Sequence, residues 1–182
     1  MSEHPEKIAE GRYLRLVKRG SWEYVERVNV ADVAVLVPVT AANEIVLVEQ
    51  YRIPVLATMI ELPAGLVGDE DGFRGESLRD AANRELEEET GYRADCLTLL
   101  ARSPTSGGLT SETVAFLHAT GLARVGLGGG VAGEDIRVHV VPLDNLMRWL
   151  SDRECEGCLI DPKIYAGVQL LKSGGTAAQG DG

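Results

Sequence analysis

The chain has 182 residues, 45% of them hydrophobic, enough to bury one good core and too short for two ordinary domains. A formal net charge of −10 argues against a nucleic-acid binder, which would carry a basic face. Cys96, Cys155 and Cys158 form an odd set, the start Met1–Lys7 has no apolar signal region, and the early apolar run Val33–Val39 falls far short of the ~20 residues that cross a bilayer. A cytoplasmic protein with neither disulfides nor a membrane span is expected.

In chain order, Tyr13–Val17 and Trp22–Val30 read as strands around Lys18-Arg19-Gly20-Ser21, so residues 1–30 form an N-terminal antiparallel β extension. A hairpin of this size does not bury its apolar face alone and must dock, most simply on a second copy in a homodimer. The β-branched run Ala31–Val39 predicts a buried strand, followed by strands at Glu44–Gln50 and Met59–Leu62 and then a polar, turn-rich loop. Ser77 and Asp80 stand at capping-box spacing and open a helix whose core face is Leu78, Ala81, Ala82 and Leu86 and which stops at Gly91. Cys96–Arg102, Thr113–Ala119 and Ile136–Val141 read as strands, Asp144–Asp152 as a helix, and a last helix opens at Asp161-Pro162. Residues 173–182 are small and polar, a tail expected to be disordered. Strands interrupted by a few helices predict an α/β (α+β) layered domain over residues 31–172, a mixed sheet flanked by helices.

Chemistry concentrates in the first of these helices. Glu85, Glu88 and Glu89 fall at i, i+3 and i+4, so a helix stacks three carboxylates on one face at the negative end of its dipole. Like charges at that spacing cost roughly 0.2–0.5 kcal/mol per pair, which points to a bound cation. Mg²⁺ suits two or three carboxylates completed by water and phosphate oxygens. Arg84-Glu85-Leu86-Glu87-Glu88-Glu89-Thr90-Gly91-Tyr92, with Glu76 eight residues before Arg84, fits R-E-U-x-E-E-x-G-U with U a bulky apolar or aromatic residue. Together these residues resemble the Nudix box of Mg²⁺-dependent hydrolases that cleave nucleoside diphosphates linked to another group. One departure stands out: the family spacing is G-x5-E, whereas ten residues, Leu66–Gly75, separate Gly65 from Glu76.

The resemblance implies an α/β/α sandwich and a set of roles. Glu85 and Glu89, with Glu88 beside them and the Ala64 carbonyl joining, would hold Mg²⁺ or Mn²⁺, and Arg84 would orient a box glutamate, while Glu87 is read as solvated. Gly128, Gly130 and Gly133 satisfy G-x-G-x-x-G but open a strand instead of following one, so they read as a mobile loop. By resemblance to ADP-ribose and GDP-mannose pyrophosphatases that loop delivers Glu134 as general base, with Glu112 as the rival. Arg52 leaves a strand just before the site, where its fork suits a phosphate, and resembles the arginine of a Q-x-R-x-P stretch in ADP-ribose pyrophosphatases. Trp22 and Arg27 resemble residues that, in those dimers, stack on the base and sit beside the phosphates. Cys155-Glu156-Gly157-Cys158 lacks further zinc ligands and reads as a turn with two incidental thiols, and His118 and His139 read as structural. The implied activity is Mg²⁺-dependent hydrolysis of a nucleotide sugar, ADP-ribose to AMP and ribose 5-phosphate. GDP-mannose is the alternative substrate and a non-catalytic nucleotide-sugar sensor the rival class.

Overall fold

The computed structural model describes residues 4–28, 30, 32–67, 77–131 and 133–174. Glu76, residues 68–75 of the long stretch before it and the end of the tail lie outside the described residues. The elements are β1 (Glu6–Glu10), β2 (Leu14–Arg19), β3 (Trp22–Arg27), β4 (Asp32–Pro38), β5 (Glu44–Arg52), β6 (Ala57–Glu61), β7 (Ala64–Val67), α1 (Leu78–Thr90), β8 (Tyr92–Pro104), β9 (Thr113–Arg124), β10 (Arg137–Pro142), α2 (Leu146–Cys155), β11 (Leu159–Ile160) and α3 (Pro162–Lys172).

The strands make three sheets: an antiparallel β1-β2-β3, a mixed β10-β5-β6-β11 and a mixed β7-β4-β9-β8. Where one mixed sheet is expected, the structure builds two. Parallel pairing of β4 with β9 gives the second mixed character, and of β11 with β6 the first. β4 is buried on both faces, and its period of two divides the core. Val33, Val35 and Val37 join Ile45, Leu47 and Ile60 in one cluster, while Ala34 and Leu36 join Ala82 and Leu86 of α1 in another. So β4 runs between the two layers, and α1 is fixed against it by Leu86, which is fully buried.

α1 starts and stops as its sequence predicts. The Ser77 hydroxyl accepts from the Asp80 amide at 3.2 Å, and Gly91 closes the helix at φ 73°. Three strands go beyond the sequence reading. β1 is exposed along its whole length and has a single large apolar residue, Ile8, so no alternation marks it. β7 is short and pairs antiparallel with β4 inside what reads as loop, and β11 spans two residues. α2 is preceded by a 3-10 turn at Leu143–Asn145 and runs on to Cys155, placing that cysteine at a helix end instead of in a turn. Asp161 caps α3 and Pro162 occupies its first turn, as expected.

Candidate active site

An open cleft of about 540 Å³ lies where β5, β6, β7 and α1 meet, and among the described residues six glutamates, three arginines and one lysine line it. Glu85, Glu88 and Glu89 all reach it. Glu87, one residue off the stripe, is 44% exposed and pairs with Arg93 at 3.4 Å. Arg84 bonds Glu85 at 3.0 Å and Glu88 at 3.2 Å, so it splints two of the three box carboxylates. Glu85 lies over the backbone of Gly65: a Cβ built there would fall 1.9 Å from the Glu85 carboxyl carbon.

Glu89 is the most enclosed of the three, only 8% exposed. Burial first, then the charge of Glu85, lift its carboxyl to about 8. Glu134 adds to the shift, while the Ala64 amide and Arg52 oppose it. The Ala64 N–H donates to Glu89 at 3.2 Å. Ala64 thus reaches the site, and the contact is made by its amide, whereas the sequence reading uses its carbonyl.

Glu134 lines the same cleft and accepts the Val131 N–H at 3.0 Å. The glycines before it do more than loosen a loop. Gly129 and Gly130 donate their amides at 2.9 Å to the carbonyls of Glu89 and Glu88, and Gly91 O accepts from Val125 and Gly126. Gly128, at φ 70°, sits so close that a Cβ would fall 2.4 Å from the Thr90 carbonyl carbon. The segment expected to be mobile is hydrogen-bonded to the last turn of α1, satisfying carbonyls that a helix end leaves open.

The remaining cations are each held by an acid. Arg27 of β3 pairs with Glu112, which also accepts from the Thr105 hydroxyl at 3.2 Å. Arg52 pairs with Glu61 at 2.8 Å, and Lys163 with Asp161 at 2.5 Å. Every cleft cation therefore has a carboxylate partner, and Glu89 and Glu134 form no ion pair within the described residues. Trp22 does not join: it is 63% exposed on β3 and is absent from the cleft of its own chain. Glu61, Asp161 and Lys163 escape the sequence reading. Glu61 has a signal, a charge closing the apolar run Met59–Ile60, whereas Asp161 reads simply as a helix cap.

A cation fits this arrangement, since Glu89 and Glu134 repel each other in a partly buried cleft where the charge of Arg52 offsets only part of the shift and each cleft cation is already paired with another acid. Their side chains are not closed into a cage: among the described residues no three acidic, His or Cys side chains converge in ligating geometry. That openness suits Mg²⁺, which keeps water and substrate oxygens. The three cysteines are free thiols, and His139 packs tilted against Trp149 with ring centroids 5.0 Å apart and bonds Glu49 at 2.8 Å.

The chain matches the family described as NUDIX domain over residues 30–154, and it belongs to that family as a Nudix hydrolase. It is 33% identical to an ADP-ribose pyrophosphatase of Bacillus subtilis (strain 168) over 77% of this chain and 71% of the relative. It is 31% identical to an ADP-sugar pyrophosphatase of Mus musculus over 92% of this chain and 85% of the relative. It is likewise 31% identical to a methanol dehydrogenase activator of Bacillus methanolicus, over 92% and 89%. A solved structure described as an ADP compounds hydrolase superposes with a TM-score of 0.70 at 23% identity, covering 94% of this chain and 91% of its own, a likeness of fold. Among the described residues no helix is long and apolar enough to cross a membrane.

Proposed function

We propose that the chain hydrolyses the diphosphate of a nucleoside diphosphate sugar, with ADP-ribose giving AMP and ribose 5-phosphate. The observation that carries this reading is the pair Glu89 and Glu134, neither in an ion pair within the described residues, in a cleft whose arginines are each held by other acids. Similarity to pyrophosphatases acting on ADP-ribose and ADP-sugars supports the choice of nucleotide.

Glu85, Glu88 and Glu89 would hold Mg²⁺, with Ala64 beside them, and the ion would supply charge neutralisation at the phosphates. Arg84 keeps Glu85 and Glu88 in place. Glu134 takes a proton from water as its oxygen bonds to phosphorus, and the bridging P–O bond breaks to leave two phosphate monoesters. One of its carboxylate oxygens accepts the Val131 amide, which would leave the other free to take the proton. Glu112 is the weaker candidate because Arg27 and Thr105 occupy its carboxylate. Arg52 grips a phosphoryl oxygen, and Trp22, remote from its own cleft, would stack on the base bound by a dimer mate.

The test is a panel of ADP-ribose, GDP-mannose, NADH and diadenosine polyphosphates with Mg²⁺ or Mn²⁺. ADP-ribose is expected to turn over fastest, and Glu134→Gln to lower kcat by about 10²–10⁴-fold, the scale of general-base catalysis. A Glu134→Gln enzyme with native kcat removes the base assignment, and no turnover of any member removes the activity.

A further inference from the structure

We propose that Lys163 is a substrate-binding residue, gripping phosphoryl oxygens of the diphosphate alongside Arg52. This rests on the reading of the cleft as a nucleoside diphosphate sugar site. β11 runs parallel to β6 with Ile160 opposite Ile60, and the Asp161 amide donates to Ile60 O at 3.0 Å. The pairing sets Asp161 beside Glu61 at adjoining strand ends. Both carboxylates are buried, Glu61 7% and Asp161 3% exposed, and each holds a cation that lines the cleft. Glu61 holds Arg52, and Asp161 holds Lys163.

A lysine on a helix face is ordinarily solvated and loosely placed. Lys163 is tied twice to one buried acid: its amide donates to one Asp161 oxygen at 2.8 Å and its ammonium to the other at 2.5 Å. With its position set, the ammonium still has two further protons to donate. The side chain is 32% exposed, open to a ligand. An arginine fork and a compact ammonium, each pre-set by a buried acid, one closing β6 and the other just after β11, suit two linked phosphoryl groups.

The experiment measures kcat and KM for ADP-ribose with Mg²⁺ in the wild type, Lys163→Met and Lys163→Arg, with melting temperatures alongside. Lys163→Met is expected to raise KM about tenfold or more, the scale of one charge-assisted hydrogen bond, with kcat within about threefold, and Lys163→Arg to recover most of the loss. An unchanged KM in a folded Lys163→Met enzyme overturns the assignment, and so does a loss confined to kcat. Should Lys163→Met melt below the assay temperature, Lys163→Gln takes its place under the same criteria. Should the wild type hydrolyse no nucleotide sugar, the broader reading has failed, and calorimetry with inorganic pyrophosphate and Mg²⁺ decides Lys163 alone: weaker binding to the variant supports the contact and equal binding overturns it.

Discussion

Glu89 is the residue on which protonation and the proposed metal binding would meet. Its carboxyl is raised from 4.5 to about 8 by burial above all, so between those values the metal-free folded chain keeps a proton that the unfolded chain has released. The sign follows: this contribution to stability is complete below the lower value and is lost as pH rises through the upper one. Melting curves in chelator should show stability declining across that window, and Glu89→Gln should flatten the decline. A divalent ion should oppose it, since binding favours the ionised form. Gly65 offers a second test. A Cβ there meets the Glu85 side chain from Cγ outward, so Gly65→Ala should force that carboxylate out of its place, with the melting temperature measured alongside to separate this from a loss of fold. Mg²⁺ affinity, read by calorimetry, should fall at least tenfold, a scale set by disturbing a ligand's support.

At the scale of elements, α1 is held on its buried face and at its C-terminal end by different means. Its face is seated by Leu86, whose truncation to Ala should cost about 2–5 kcal/mol in chemical denaturation. Its C-terminal carbonyls are met by the glycine segment that leads to Glu134, so the ridge and the base candidate share a frame. Gly128→Ala meets backbone at 2.4 Å and should depress kcat more than Mg²⁺ affinity, measured by kinetics and calorimetry together. Much of this was legible. Ser77, Gly91 and the glutamate stripe announce α1, and the alternation along β4 announces a buried strand, because capping and periodicity are local properties. What connects distant segments was not: β7 and β11 are too short to show a period, and the pairing of Arg52 with Glu61 or Arg27 with Glu112 depends on which strands become neighbours. The glycine run was visible but ambiguous, since the same residue type grants freedom in one setting and permits close approach in another.

For the molecule as a whole, the N-terminal sheet is joined to the body through main-chain bonds between Val25 and the loop at Leu109–Ser111, and through Arg27 on Glu112. It still leaves Ile8, Tyr13, Leu14 and Trp22 at least 47% exposed. A homodimer that covers them is expected to sediment as such, and removal of residues 1–30 to yield a monomer; a full-length monomer in sedimentation would remove the idea. The Nudix match spans residues 30–154, while Arg27 lies before that stretch and Lys163 after it. A protein trimmed to the matched stretch would keep the acidic ridge and Glu134 yet forfeit two of the four positive charges around its ligand. Bond-breaking would then survive within the matched stretch, and half of the charge that meets the diphosphate would lie in the segments flanking it.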